Sequence, residues 1–145
     1  MTSPEKKTAV KPKPRLGGAS EVAPGVFVGG VRDAAEFEGA RICVRDEDEE
    51  AVPMSTHLPV YDGRTDRALR SNLEEIAHAI DRERAAGRPV LVYCGHGVRR
   101  SPLAAAWYLH RTEGLPLAAA YARIRGVRPQ IEEASEWVGD TTGLE

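Results

Sequence analysis

Residues 90–102 read VLVYCGHGVRRSP, and this stretch decides the fold of the chain. The continuous apolar run at 89–93 is typical of a central strand in a sheet that is covered on both faces. A turn with two glycines follows, and Ser101-Pro102 is typical of a helix start, because proline suits the first helical turn. This order of strand, turn and helix directs backbone N–H groups into one concavity, where a tetrahedral oxyanion can bind.

The side chains of this turn suit phosphate chemistry. Arg100 carries a planar guanidinium that can bind two phosphate oxygens at once. Cys94 lies at the mouth of the turn, where the helix N-terminus and the arginine charge favour the thiolate, so it would be a nucleophile facing a bound phosphate. Alternatively, Cys94 is a small buried side chain in a sharp turn, a role that does not require Arg100 and Ser101 beside it.

Outward from this stretch, short apolar runs alternate with segments of helical periodicity. Strands are predicted at residues 26–28, 41–44, 58–61 and 89–93, where Pro59 marks the third as an edge or irregular strand. Helices are predicted at 31–38, 67–86, 116–125, 131–137 and from Ser101 onward. The alternation predicts a single α/β domain, with a mainly parallel central sheet of four to five strands flanked by helices. We assign residues 21–145 to this domain.

Residues 1–20 differ in composition from the rest of the chain. They contain all the lysines of the chain, three prolines and few large apolar side chains. Such a segment cannot bury enough surface to offset its ordering entropy, so we predict a disordered basic tail. The tail serves either as a solubilising arm or as a tether to a polyanion or membrane.

Composition excludes several classes of protein. The chain has 145 residues and a net charge of −2, which argues against the basic surface of a nucleic-acid binder. It has no apolar run of the ~20 residues that a membrane span needs, and no apolar leader segment. Its two cysteines cannot form a disulfide framework and indicate reduced thiols. We therefore expect a cytoplasmic monomer that needs no metal or other cofactor and binds no nucleic acid.

The turn resembles the signature loop of the cysteine-dependent protein tyrosine phosphatases. Five residues separate Cys94 from Arg100, Gly97 lies midway, and Ser101 follows directly. Residues 23–30 (APGVFVGG) are similar to the opening strand of the compact dual-specificity subgroup, and Arg128-Pro129 resembles its last helix region. The resemblance implies a dual-specificity phosphatase-like fold that hydrolyses phosphotyrosine, and also phosphoserine and phosphothreonine, through a cysteinyl-phosphate. It further implies a set of substrate-binding residues: Gly95, His96, Gly97, Val98, Arg99 and Arg100.

The resemblance also assigns the remaining catalytic roles. The family places an aspartate about thirty residues before the nucleophile, just after a strand, as the acid that protonates the leaving group. Asp62 lies 32 residues before Cys94 and is preferred over Asp66 at 28 residues, because Asp66 can instead cap the following helix. Ser101 would donate a hydrogen bond to the sulfur of Cys94, or merely cap its helix.

Several residues have two interpretations. Tyr93 stands where the family usually has histidine and can supply a hydrogen bond but no positive charge at neutral pH. Cys43 is a candidate redox partner of Cys94, or a small core residue. Trp137 is expected to pack the last helix, and the acidic run at 46–50 is expected to be a solvated loop, which would disfavour acidic peptides if it rimmed the site.

Other functions remain open at this stage. The same chemistry could act on a phosphoinositide, an inositol phosphate or an RNA 5′-phosphate, since a fold alone does not fix a substrate. A non-catalytic phosphate-binding module would not need Cys94, Arg100 and Asp62 together. A sulfurtransferase also uses a cysteine in an anion-binding loop, but it would not need Asp62.

Overall fold

The structure is a computed structural model that describes residues 16–61, 67–140 and 142–145. Its five strands are β1 (Ser20–Ala23), β2 (Val26–Gly30), β3 (Ala40–Cys43), β4 (Thr56–His57) and β5 (Val90–Cys94). Its helices are α1 (Val31–Glu36), α2 (Arg70–Ala85), α3 (Arg100–Glu113) and α4 (Leu117–Val127), followed by a 3-10 turn at Ser135–Val138. None of the described helices is both long and apolar enough to cross a bilayer.

The strands form one sheet in the order β1-β2-β5-β3-β4. Strands β2, β5, β3 and β4 are parallel to their neighbours, and β1 alone is antiparallel. Strand β5 lies at the centre and is buried along its whole length, as its continuous apolar sequence predicts. The predicted α/β domain with a mainly parallel five-stranded sheet is therefore confirmed.

The two faces of the sheet carry cores of different size. Alternate side chains of the strands, including Val92 and Cys94 of β5, pack with α2, α3 and α4 in the main core. The intervening side chains, including Tyr93 of β5 and Cys43 of β3, pack with α1 in a smaller core. Because side chains alternate along a strand, neighbouring residues of β5 serve opposite faces.

Two predicted elements differ from the structure. Residues 58–61 form only an irregular continuation of the edge strand β4: the N–H groups of Leu58 and Val60 donate to the carbonyls of Cys43 (2.8 Å) and Val44 (3.4 Å), and Tyr61 makes an isolated bridge with Ala68. Pro59 lies between these two donors, on the open side of the edge strand, where its missing N–H costs no ladder hydrogen bond. The helix predicted at 131–137 is only the 3-10 turn at Ser135–Val138, and residues 131–134 before it are not helical.

One strand was missed, and it changes where the packed part begins. Strand β1 joins β2 through a two-residue turn of Pro24 and Gly25, where Gly25 has a φ of +78°. Leu16 and Ala19 pack against the smaller core, so the packed part extends to Leu16 rather than beginning at residue 21. The disordered tail stays a prediction for residues 1–15, which lie outside the described residues.

Candidate active site

The glycine-rich turn leaves the carboxyl end of β5 and enters α3, at the middle of the sheet. Gly97 has a φ of +70°, in the left-handed region that favours glycine. A Cβ atom at Gly97 would lie 2.5 Å from Nη2 of Arg128 and 2.6 Å from the carbonyl carbon of Gly29. Both the torsion and the close packing therefore require glycine midway through the loop.

The carbonyl groups of residues 95–98 all accept hydrogen bonds from outside the loop. The donors are the N–H of Val31 to Gly95 (3.1 Å), the Arg128 guanidinium to His96 (3.2 Å) and Gly97 (2.8 Å), and the N–H of Glu132 to Val98 (2.8 Å). A trans peptide is planar, so each carbonyl points opposite to the next N–H. The N–H groups of residues 96–99 are thereby directed into the concavity, where they suit an oxyanion.

Cys94 lies at the base of this concavity with 2% of its surface exposed. Ser101 approaches its sulfur through the hydroxyl at 3.3 Å and through the backbone N–H at 3.4 Å. Burial alone would raise the pKa of the Cys94 thiol. The hydrogen bonds from Ser101 and the N–H of Gly97, with the charge of Arg100, outweigh burial and lower that pKa. The surroundings therefore favour a thiolate, the form that attacks phosphorus.

The hydroxyl of Ser101 has two acceptors but only one proton. Its Oγ lies 3.1 Å from the carbonyl oxygen of Gly29 and 3.3 Å from the sulfur of Cys94. With a neutral thiol, the S–H can donate to the hydroxyl while the hydroxyl donates to Gly29. With a thiolate, the hydroxyl must turn its proton toward the sulfur. The geometry thus suits the role predicted for Ser101.

Arg100 is held by a carboxylate that the sequence analysis did not assign to the site. Its Nη1 donates to Oε1 of Glu49 at 2.6 Å, and its guanidinium carbon lies 5.4 Å from the ring centroid of Tyr61. The described residues accept no other hydrogen bond from this guanidinium. Its Nε–Nη2 edge can therefore take two phosphate oxygens.

The remainder of the acidic run at 46–50 forms one edge of the site. Arg45 lies 3.1 Å from the second carboxylate oxygen of Glu49 and donates to the carbonyl of Glu50 at 2.8 Å. Side chains of residues 46–48 line an adjacent cavity of about 660 Å³, which shares Tyr61 with the space above Cys94. The run is thus an ordered edge of the site rather than only a solvated loop.

The opening above Cys94 is a cavity of about 460 Å³ with an aromatic wall. Tyr61 and Trp137 form this wall, with ring centroids 5.6 Å apart. Trp137 also packs against the main core, so the expectation of packing was incomplete: the residue lines the opening as well. The other lining residues are His96, Val98, Arg99 and Arg100, four of the six predicted substrate-binding residues.

Tyr93 and Cys43 lie together on the face of the sheet opposite Cys94. The Tyr93 hydroxyl accepts from the N–H of Val52 at 2.8 Å and lies 2.8 Å from the hydroxyl of Ser55. Cys43 is fully buried beside Tyr93, and burial raises its pKa above the ordinary thiol value. A disulfide needs side chains that face each other, so this arrangement gives the predicted redox pairing with Cys94 no geometric support.

The two candidate acids, Asp62 and Asp66, lie outside the described residues. Two residues of the site were missed by the sequence analysis, Glu49 and Arg128. Both had a signal in the sequence: Glu49 belongs to an acidic run that faces a basic loop, and Arg128 is a charged residue directly before a proline. Neither signal shows which residues Glu49 and Arg128 contact until the fold is known.

Comparison with known proteins supplies a family. Residues 37–140 match the family described as "Dual specificity phosphatase, catalytic domain". Human dual specificity phosphatase 28 is 32% identical over 121 residues, which cover 77% of this chain and 68% of that protein. Mouse dual specificity protein phosphatase 12 is 30% identical over 141 residues, which cover 87% of this chain but only 41% of that protein.

Solved structures agree with this match. The crystal structure of human DUSP28 superposes with a TM-score of 0.65 at 27% identity, covering 88% of this chain and 91% of that one. The crystal structure of PTPMT1 in complex with PI(5)P superposes with a TM-score of 0.67 at 17% identity, covering 79% and 86%. The second likeness shows the fold alone.

Proposed function

This chain belongs to the family of dual specificity phosphatase catalytic domains, and from that premise we propose that it dephosphorylates phosphotyrosine, phosphoserine and phosphothreonine through a cysteinyl-phosphate at Cys94. The observation that carries the proposal is the set of groups around the sulfur. Hydrogen bonds from Ser101 and Gly97, with the charge of Arg100, lower the pKa of Cys94 despite its burial. A structural cysteine has no need of such surroundings.

In the first chemical step, the Cys94 thiolate attacks phosphorus and the bond to the ester oxygen breaks. Arg100 and the inward N–H groups of the loop stabilise the charge on the equatorial oxygens. Asp62 is the proposed acid that protonates the leaving oxygen. The products of this step are a free alcohol or phenol and a phosphorylated Cys94.

In the second step, water attacks the phosphorus and the sulfur–phosphorus bond breaks. Asp62, now a carboxylate, accepts a proton from the water. The hydroxyl of Ser101 turns its proton to the departing sulfur, where negative charge develops. Inorganic phosphate then leaves the loop and the thiolate is restored.

The walls of the opening favour an aryl phosphate on a protein over a multiply phosphorylated headgroup. Tyr61 and Trp137 provide an aromatic wall against which a phenyl ring can pack. The carboxylates at 46–48 line the adjacent cavity, where they would repel further phosphates. PTPMT1 is bound to PI(5)P in its crystal structure, but at 17% identity its likeness to this chain shows the fold alone.

The proposed setting follows from the chemistry of the site. A thiolate nucleophile must stay reduced, so we place the enzyme in the cytoplasm. We further propose that it acts as a monomer. The proposed reaction needs no metal or other cofactor, because the loop N–H groups and Arg100 supply the charge stabilisation.

The test is a panel of phosphotyrosine and phosphothreonine peptides, phosphoinositides and p-nitrophenyl phosphate, with kcat/KM measured for each. Phosphotyrosine peptides should be the best substrates, and Cys94→Ser should abolish turnover with an unchanged circular dichroism spectrum. Turnover retained in Cys94→Ser would overturn the mechanism. Phosphate binding without turnover in wild type would indicate a binding module, and thiosulfate turnover a sulfurtransferase.

A further inference from the structure

Arg128 is a buried cation that the proposed reaction leaves without a role. Only 5% of its surface is exposed, and burying an arginine carries a large solvation cost unless its donors are used. All three nitrogens donate hydrogen bonds to described residues. Their acceptors are the carbonyl of Gly97 (2.8 Å, from Nε), the carbonyl of His96 (3.2 Å, from Nη2), and the carbonyl of Gly18 with the hydroxyl of Ser20 (both 3.2 Å, from Nη1).

Two of these acceptors belong to the signature loop itself. Arg128 lies outside the concavity and binds the carbonyls of His96 and Gly97 from there. Through the planar peptide, each bond fixes the direction of the next N–H, which belongs to Gly97 or Val98. The N–H of Gly97 in turn helps to lower the pKa of the Cys94 thiol. Arg128 therefore contacts neither substrate nor sulfur, yet it orients groups that do.

A carboxylate ties this arginine to the other support of the loop. Asp33 lies 3.7 Å from Nη2 of Arg128, and its other contact is the N–H of Gly30 at 2.8 Å. Gly30 directly precedes Val31, whose N–H binds the carbonyl of Gly95. The supports of three successive loop carbonyls are thus linked through Asp33.

We propose that Arg128 is a positioning residue: it holds the carbonyls of His96 and Gly97 outside the loop and so keeps the N–H groups of Gly97 and Val98 directed at the nucleophile and at the phosphoryl oxygens. The inference rests on the proposed function for the identity of the oxyanion. The orientation of these two peptides can be tested in experiments that do not measure turnover. A purely structural Arg128 would act instead through Gly18 and Ser20, by fastening β1.

Two measurements separate positioning from fastening. The first is the affinity for inorganic orthovanadate, whose oxygens occupy the phosphoryl site, measured as an inhibition constant in active protein. The second is the pH dependence of Cys94 alkylation by iodoacetamide, followed by mass spectrometry, which needs no catalysis. Thermal unfolding of each variant reports its stability separately.

A binding measurement that does not depend on turnover supplements these two. It compares the affinity of Cys94→Ser for inorganic phosphate with that of the double variant Cys94→Ser, Arg128→Ala.

In Arg128→Ala we expect vanadate to bind about tenfold more weakly or worse, because hydrogen bonds to charged groups are worth about 1.5–3 kcal/mol each. The pH dependence of Cys94 alkylation should shift to higher pH. Added guanidinium ion should partly restore both the vanadate affinity and the alkylation profile. Arg128→Lys keeps the charge but replaces the rigid fork of donors with a single nitrogen, so it should fall between Arg128→Ala and wild type. Arg125→Ala is the matched control: Arg125 is an arginine of α4 whose exposed side chain pairs with Glu133 at 3.0 Å.

Ser20→Ala removes an acceptor from the β1 side alone. It should lower the unfolding temperature without changing vanadate affinity or the alkylation profile. The proposal is overturned if Arg128→Ala unfolds at lower temperature but binds vanadate and alkylates as wild type does. If Arg128→Ala does not fold, the same comparison is made with Arg128→Lys. The proposal is then overturned if Arg128→Lys has the vanadate affinity and the alkylation profile of wild type. If wild type hydrolyses no phosphoester, phosphate binding and alkylation still decide it.

Discussion

Oxygen Oε1 of Glu49 lies 2.6 Å from nitrogen Nη1 of Arg100, so the guanidinium assigned to phosphate is already paired with a carboxylate. The pair lies at the rim of the site, with side chains 17% and 31% exposed. Burial acts to raise the pKa of Glu49, but the hydrogen bond and charge of Arg100 outweigh it and lower that pKa, so Glu49 stays ionised near neutral pH. One edge of Arg100 is thus fixed, and the other is presented to substrate.

Removing this carboxylate should weaken phosphate binding. Glu49→Ala leaves Arg100 without its orienting partner, so we expect kcat/KM to fall about tenfold, the cost of one charged hydrogen bond. Glu49→Gln keeps an oxygen acceptor and should lose less. Glu113→Gln is the control, because Glu113 pairs with Arg123 at the far end of α3. A rise in kcat/KM for Glu49→Ala would mean that the carboxylate competes with phosphate.

Asp62→Ala tests the proposed acid. We expect kcat to fall by about two to four orders of magnitude with alkyl and unactivated aryl esters, which need a protonated leaving oxygen. The loss should be small with p-nitrophenyl phosphate, whose leaving group needs little protonation. Asp66→Ala is the matched variant. If it reproduces this pattern and Asp62→Ala does not, the acid is Asp66.

Ser101→Ala should shift the pH profile in a defined direction. The Ser101 hydroxyl helps to lower the pKa of Cys94, so its loss raises that pKa. The reactive form is the thiolate, which exists above the pKa, and the acidic limb of kcat/KM against pH should therefore move to higher pH. Slower loss of phosphate from Cys94 should also appear as a burst of product before steady state. Ser71→Ala, an exposed serine of α2, should leave both the limb and the burst unchanged.

Tyr93→Phe tests the role of the phenol on the opposite face of the sheet. The change removes the acceptor for the half-buried N–H of Val52 and the partner of Ser55. We expect a loss of about 1–3 kcal/mol in the free energy of unfolding, the cost of leaving a buried polar group unpaired. Urea unfolding measures this loss. An unchanged midpoint and slope would show that residues 52–55 do not depend on this hydroxyl.

Trp137→Leu should change selectivity more than stability. It keeps an apolar side chain against the main core but removes the ring that lines the opening beside Tyr61. Aromatic pairs are worth about 0.5–1.5 kcal/mol beyond their buried area, so kcat/KM for a phosphotyrosine peptide should fall about two- to tenfold. A matched phosphothreonine peptide should be much less affected. Equal losses on both peptides would remove Trp137 from substrate recognition.

The residues that were predictable are those whose relation to one another is local. Cys94, Arg100 and Ser101 lie within eight residues of one another, and the strand and helix that flank them fix their geometry. Glu49, Arg128 and Trp137 reach the same site from segments more than twenty-five residues away, and only the topology of the sheet brings them there. The strand predicted at 58–61 is incomplete for a related reason: an apolar run shows that residues are buried, but it does not show how regular a ladder they join.

The loop receives its outside supports from both sides of its position in the chain. Val31 precedes Cys94, but Arg128 and Glu132 come after α4. A growing chain that has reached the end of α3 therefore contains the entire signature sequence and Val31, but not Arg128 or Glu132. Since chains are synthesised from the N-terminus, these two supports become available only after the whole signature loop has been made. A chain cut before Arg128 would keep Ser101 and Arg100 beside Cys94 but would lack the groups that bind the carbonyls of His96, Gly97 and Val98.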